Sequence, residues 1–502
     1  MAANYDCIIV GAGHNGLVAA NYLAKAGRKV LVLERRPIPG GQLVTESFGE
    51  DFDVDSLHAS GQLRPDIVRD LGLRGAAFEP APGAPYVSLL DGGKRLRLDA
   101  DPTRAAAAIR EFSARDAGRW PEFVAFMQRA AEFLDAAYRT PMPRLPHVSL
   151  GEGLPLAALL LKLRRLGGRD MFRTVRAMSM SAEELTSDWF ESDAVRAAVS
   201  ALAIHGVTLG PMSAGTGYTL MHNWLNRGGL AHRVVNGGVG QLSTALVNAL
   251  KAREGEVRTD AEVRRILVEH QRAQGVLLAG GEQITAAVVL SAADPLRTFI
   301  GLVGATELPP EFVWQARSVK LRGSVAKVHA RTNGQHGLPE GTLVIAPSVR
   351  YLERAYDAAK YGQISKEPYL EVTTRGNIVS IHFQFAPYAL RAGAWGGSAQ
   401  TVTQRAIDAL EQRCPGFRAS VQKTETLTPH ELESVYGLSE GDLNHGQLIL
   451  DQIFFMRPLP GWSNHRTPVA GLYLCGSGVH GGGGISGASG RNAARAALKE
   501  SR

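Results

Sequence analysis

Apolar and polar positions follow different periods along the chain, and the first forty residues show both. Tyr5 to Val10 is a short apolar run with no polar face, the pattern of a parallel strand covered on both sides. Asn15 to Ala26 has helical spacing and stops at Gly27, and Lys29 to Glu34 is a second apolar strand. The three form a βαβ unit. From Gly237 the pattern resumes with a helix over Gly240 to Lys251, a strand at Val257, a hairpin from Val263 through Gly280-Gly281 to Ile284, and an apolar strand from Val288 to Ala292 that ends at Asp294-Pro295. A third piece, Gly471 to Leu498, reads as a strand over Leu472 to Cys475, a glycine-dense loop and an Ala-rich helix opening near Ser489.

Two long excursions of different character separate these pieces, with helical patterns, tryptophans and proline-rich joints. The expected fold class is therefore α/β. Residues 1–75, 231–299 and 445–502 form a discontinuous Rossmann-type nucleotide-binding domain, and 76–230 with 300–444 form an inserted α+β domain that caps it and holds a substrate.

A length of 502 residues fits two domains, and 45% hydrophobic with 21% charged residues excludes a disordered or fibrous chain. The three cysteines, Cys7, Cys414 and Cys475, have no paired spacing, so neither a disulfide framework nor a zinc site is expected. The longest apolar run, about Leu154 to Leu161, is far short of the roughly 18 residues of a membrane span. The first strand begins too close to Met1 to leave room for a signal peptide, so a cytoplasmic location is expected. Net charge is +7, and much of it is local: Lys162, Arg164, Arg165, Arg169, Arg173 and Arg176 stand against Asp170 alone. Coming directly after the apolar run, this makes 154–176 the expected site of peripheral membrane contact, with a solvated helix face as the alternative. No nucleic-acid-binding motif accompanies the charge, so nucleic acid is not an expected partner.

The strongest chemical signal is Gly11-Ala12-Gly13-His14-Asn15-Gly16, placed directly after a strand and opening a helix. Gly11 permits the turn, Gly13 lets the backbone approach a diphosphate, and Gly16 lets helix and strand pack closely. Glu34 closes the second strand, where a carboxylate takes the ribose hydroxyls and disfavours a 2′-phosphate; Arg35 and Arg36 beside it leave NADP as the competing dinucleotide. Gly40-Gly41-Gln42 suits a loop running beneath more of the dinucleotide. The loop from Gly476 through His480 and Gly481 to Ile485 lets backbone touch a flat ligand.

Taken together, Gly11 to Gly16, Glu34, Gly40-Gly41, the hairpin ending at Asp294, Gly441 to Pro458 (GDLNHGQLILDQIFFMRP) and Gly471 to Gly484 resemble the phytoene desaturase-like flavoprotein family nearly end to end. Within it the chain is most similar to a group named for a pyridine nucleotide-disulfide oxidoreductase domain, and next to desaturase-type ketolases. The resemblance implies a glutathione-reductase-like nucleotide fold and FAD held non-covalently. It further implies that Gly11, Gly13, Gly16, Glu34, Arg35, Gly41 and Gln42 bind the ADP half and diphosphate, that Val263 meets the adenine, and that Gly476 to Ile485 border the flavin. Family members usually carry His-Pro-Gly-Gly-Gly where this chain has His480-Gly481-Gly482-Gly483, and an aromatic is commoner where Asn444 stands. No Cys-x-x-Cys pair supports disulfide chemistry.

His445, in the most family-specific motif, and His480, in the flavin loop, are the candidate catalytic side chains, because imidazole exchanges protons near neutral pH. A structural histidine bonded to backbone is the competing reading of each. Lys327, on the alternating stretch Gly323 to Arg331, reads as a solvated lysine, with a flavin-facing position as its alternative. With one dinucleotide fingerprint, the expected activity is an FAD-dependent dehydrogenase or desaturase that moves hydride from an apolar, isoprenoid or lipid-like substrate to the flavin, which oxygen or a quinone reoxidises. A flavin-dependent ketolase or isomerase, and a flavin-binding regulatory protein without turnover, are the alternatives. Oligomeric state is not legible.

Overall fold

A computed structural model of the chain describes residues 5–48, 52–58, 61–79, 84–143, 150–231 and 235–500. Apolar runs without a polar face become the inner strands of a seven-stranded sheet. Its parallel part runs Glu256–Arg258, Val30–Leu33, Tyr5–Val10, Gln283–Ser291 and Leu472–Leu474, so that neighbours in space come from three separate stretches of chain. Helices His14–Lys25, Gly240–Lys251 and Ala488–Glu500 cover one face, where Leu17, Leu23, Leu242, Leu246 and Ala494 meet Ile9, Val32 and Leu290 in one core.

Two expectations change here. Where the sequence suggests one hairpin, the chain builds a three-stranded meander of Val263–Glu269, Arg272–Leu278 and the start of Gln283–Ser291. The first turn uses His270 and Gln271 at φ +48° and +59°, a left-handed pair with no glycine to announce it. Gln283–Ser291 is one strand that pairs antiparallel through Thr285 and parallel with Tyr5–Val10 from Ala286 onward. The second change is at the boundary placed near 300. Leu302, Val303, Leu308, Phe312 and Ala316 pack with Ile8, Leu31 and Val276 on the other face of this sheet, so residues up to about 316 belong to the nucleotide-binding core.

A second seven-stranded sheet runs Val421–Leu427, Val325–Thr332, Ile378–Gln384, Tyr369–Arg375, Thr342–Ile345, Tyr86–Leu89 and Arg95–Leu98, drawing strands from both excursions. Alternation gives it two unlike faces. Ala326, Val328, Leu370, Val372, Ile381 and Phe383 share an apolar core with Val402, Ala406 and Leu410 of helix Trp395–Glu411. The opposite face presents Lys327 and His329, Ser380 and His382, Glu371 and Thr373, and is covered in part by the segment after strand Phe52–Asp55, whose Ser56 carbonyl lies 3.1 Å from His329 Nε2.

Among the described residues no helix is long and apolar enough to cross a membrane. The apolar run and basic stretch form two helices, Leu150–Arg164 and Gly168–Ser179, on which Leu154, Leu160, Leu161, Phe172 and Val175 are exposed.

Candidate active site

The first strand ends at Val10, and the chain turns through Gly11 at φ +96° into helix His14–Lys25, whose N-cap Gly13 supplies no side-chain cap. The amides of the first helical turn are thus left for a ligand, with the positive end of the helix dipole behind them. A Cβ at Gly16 would stand 2.3 Å from the Gly11 carbonyl oxygen, which is why the third glycine is needed.

Gly11, Gly13, Gly16, Glu34, Arg35, Gly41, Gln42, Val263, Gly476 and His445 all line one cavity of about 940 Å³ around this helix start. Glu34 is buried and fixed: its two carboxylate oxygens take the Ala12 and Arg36 backbone N–H groups at 2.9 and 3.0 Å. The same carboxylate therefore holds the glycine turn and presents its remaining lone pairs to the cavity. Glu34→Ala is expected to weaken FAD binding by about 1–3 kcal/mol, measured by titrating the apoprotein with FAD and following flavin fluorescence; unchanged affinity would show that the ribose is held elsewhere.

The arginines beside it are drawn to other partners, although Arg36 keeps one buried nitrogen, Nη1, without a hydrogen-bond partner at the cavity. Arg35 donates to the carbonyls of Ser434 and Val435 at 2.9 and 2.7 Å, and Arg36 pairs with Glu46 and lies over the Tyr436 ring. The cavity fits FAD in a further respect: the buried atoms His14 Nε2, Asn15 Oδ1 and His445 Nδ1 stand along it with no hydrogen-bond partner.

The motif 441–458 is tied to the flavin loop by Arg457. Its buried guanidinium donates to the carbonyls of Asn444, Gly446 and Ser477 at 2.7, 3.1 and 2.9 Å, fastening both segments to one point. His445, at φ +56°, stands in the dinucleotide cavity and not in the space beyond it, a place for touching cofactor and not substrate. Burial depresses its ring below the ordinary imidazole range. His480 borders neither space. Its Nε2 is held between the carbonyls of Ala137 and Thr140 at 3.0 and 3.1 Å, which makes it the structural histidine that competed with the catalytic reading.

His14, Gln42 and Ser477 line this cavity and also a second one, a chamber of about 900 Å³ that Ile485 borders as well. The polar face of the second sheet forms one of its walls. Lys327 is buried there and faces the chamber, so it is not a solvated lysine; burial, with Arg227 adding and Glu371 opposing, pushes its ammonium down to about 8. Arg227 donates twice to the Glu371 carboxylate, at 2.9 and 2.5 Å, and His205 stacks on His382 with ring centres 4.1 Å apart. Leu57, Leu443 and Ile485 are the aliphatic residues among twenty-one that line the chamber, so its lining is mainly polar and not the one an isoprenoid or lipid-like substrate would call for.

A glycine turn and a fixed carboxylate suited to a dinucleotide, beside a chamber of ionisable groups, fit an FAD-dependent oxidoreductase. The chain belongs to the flavin-containing amine oxidoreductase family, whose model matches residues 16–498. It is similar to pyridine nucleotide-disulfide oxidoreductase domain-containing protein 2 of Rattus norvegicus, at 33% identity over 99% of this chain and 94% of that one. It is also similar to a lycopene-forming phytoene desaturase of a Paracoccus species, at 26% identity over 96% of this chain and 95% of the other. Among solved structures, cyclohexylamine oxidase from Brevibacterium oxydans shares the fold with a TM-score of 0.57 and 17% identity, covering 99% of this chain and all of that one.

Proposed function

We propose that the protein is a dehydrogenase or desaturase that takes hydride from a C–H bond of a substrate in the chamber, and that oxygen or a quinone serves as final electron acceptor. The observation that carries this is the sharing of His14, Gln42 and Ser477 by both cavities, which sets the chamber directly beside the cofactor site. FAD supplies the two-electron acceptor when bound. The chain orients and encloses. Gln42 is fixed at the junction by donating to the Leu443 carbonyl at 2.9 Å and by its contact with His58 Nε2 at 2.8 Å, and Asn15 donates to Ser477 Oγ at 3.2 Å. Lys327 stands on the far wall as a cation that can steady negative charge on a reacting group. Relatives named for desaturation support the reading. Enzyme reduced anaerobically with dithionite is expected to regain its yellow colour on mixing with aerated buffer or with menadione. A flavin that stays reduced in both would sink the proposal.

We further infer loose attachment to anionic membranes through the two helices that carry Leu154 and Phe172, each 73% exposed. The structure narrows the basic patch: Arg169, Arg173 and Arg176 pair with Glu122, Asp170 and Asp188, whereas Lys162, Arg164 and Arg165 have no ion-pair partner among the described residues. Three such charges near an anionic surface contribute about 1 kcal/mol each and fade with salt, while the apolar side chains beside them add insertion. Wild-type protein is expected to sediment with phosphatidylserine vesicles at low salt and to release at high salt. Changing Lys162, Arg164 and Arg165 to Glu should abolish sedimentation; equal sedimentation of both proteins would make the patch a solvated face.

A further inference from the structure

We propose that the chamber receives a hydroxyl group of the substrate, with His382 Nδ1 accepting the O–H hydrogen and the Lys327 ammonium donating to the same oxygen, so that the reaction served is oxidation of an alcohol to a carbonyl. This rests on the flavin-dependent reading above.

Three adjacent strands set the groups in a row: Lys327 is in register with His382, and His382 with Glu371. Side chains directly opposed on neighbouring strands stand about 5 Å apart at Cβ, so two of them can reach one atom. The tautomer of His382 is fixed by what lies behind it. Gln384 accepts the Gly206 backbone N–H through Oε1 at 2.9 Å and donates through Nε2 to the Val207 carbonyl at 2.5 Å. Neither contact survives exchange of the amide's oxygen and nitrogen, since an N–H must meet an acceptor and a carbonyl a donor. His382 Nε2 lies 2.8 Å from that same Oε1 and therefore carries the hydrogen. Burial, aided by the neighbouring His205 and Lys327, holds the ring well below the ordinary imidazole range, so it is neutral at physiological pH and Nδ1 keeps its lone pair. That nitrogen is buried with no hydrogen-bond partner.

The charges facing this row are otherwise matched. Glu371 is engaged by Arg227, and Asp55 accepts from Thr45 Oγ1 and the Val239 N–H at 2.7 and 3.2 Å. The Lys327 ammonium has no hydrogen-bond partner among the described residues. His382 and Lys327, both lining the chamber, thus hold between them a bare acceptor and an unmatched cationic donor, and an oxygen bearing one hydrogen satisfies both. A carboxylate would set a lone pair against Nδ1. An alkylammonium would meet the like charge of Lys327, and none of the described lining residues is Phe, Tyr or Trp to hold a cation over a ring face. In the reaction the carbinol C–H leaves as hydride, with both electrons, to the flavin. The O–H proton passes to His382 Nδ1 and the C–O bond becomes C=O, while Lys327 meets the negative charge that builds on oxygen.

The test uses FAD-loaded protein with cyclohexanol, cyclohexylamine and cyclohexanecarboxylate, three probes with one ring and different heads. Cyclohexanol is expected to perturb the flavin absorbance and, without air, to bleach it with one cyclohexanone formed per flavin; the other two bind at least ~10-fold more weakly. His382→Leu and Lys327→Met, each checked for flavin content and melting temperature, should weaken cyclohexanol about 10-fold, whereas His382→Asn, whose amide oxygen replaces Nδ1, should retain it. No spectral response to cyclohexanol overturns the assignment, as does preference for the amine or carboxylate, or undiminished binding by His382→Leu. If His382→Leu folds poorly, Lys327→Met gives the same decision. A protein that holds no FAD overturns the flavin reading instead, and its lack of colour tells the two failures apart.

Discussion

Gly16→Ala is expected to give a protein that purifies colourless, with FAD affinity reduced by ~100-fold or more, about 2.7 kcal/mol. The new methyl carbon would lie 2.3 Å from the Gly11 carbonyl oxygen, 3.2 Å from Ala292 Cβ and 3.3 Å from Ile9 Cγ2. The first partner is backbone, so relief requires moving the turn itself, and with it the amides at the start of helix His14–Lys25. Neighbouring helix–strand packing has little slack for such movement. Gly27→Ala, at φ +80° with open space around the new carbon and away from the cavity, is the control for ordinary strain. Equal flavin content in wild type and Gly16→Ala would mean that the turn does not hold the diphosphate.

Glu371→Ala is expected to lower stability by about 3–5 kcal/mol, read as a fall in the urea midpoint, because it strips a buried guanidinium of its carboxylate. Arg227 and Glu371 are 9% and 7% exposed, and their two short contacts join helix Thr216–Arg227 to strand Tyr369–Arg375. The apolar double variant Arg227→Leu with Glu371→Leu should recover most of the loss, since removing both charges also removes the desolvation cost that the carboxylate offsets. A double variant no more stable than Glu371→Ala would place the damage in the sheet and not in the charge.

What was legible in the sequence is what local spacing controls. The strand, glycine turn and helix at Tyr5 to Lys25 and the carboxylate at Glu34 need only short-range geometry, and each stands where the pattern put it. The chamber was not legible. Lys327, His382 and Glu371 each occupy the polar phase of an alternating strand, a pattern that ordinarily means solvent, and only the packing of distant segments over it, among them Asp55 to His58 and His205, turns that face inward. His205 and Arg227 come from the ends of helices in another stretch of chain, with no local spacing to link them to these strands. The one available signal was that three strands each repeat two ionisable or hydrogen-bonding residues at alternate positions: Lys327 and His329, Glu371 and Thr373, Ser380 and His382. His480 misled because its glycine-rich setting marks a flexible approach to a ligand, whereas its ring turns back to helix Ala114–Arg139 and the residue that follows it.

Leu472–Leu474 is the strand that completes the parallel sheet beside Val289–Ser291, and Gly490 on the helix after it sits against the Asn15 carbonyl. Both come some 450 residues after the glycine turn they support. During synthesis the ribosome therefore exposes the nucleotide turn early but cannot finish its surroundings until residue 490 has cleared the exit tunnel. From its own synthesis until residue 474 follows, the strand over Val289–Ser291 keeps an open, apolar edge, the kind of edge that seeks another chain. Completion of the cofactor site is for this topology a late event, because it waits for Leu472–Leu474 to pair with Val289–Ser291 and for Gly490 to close on the Asn15 carbonyl.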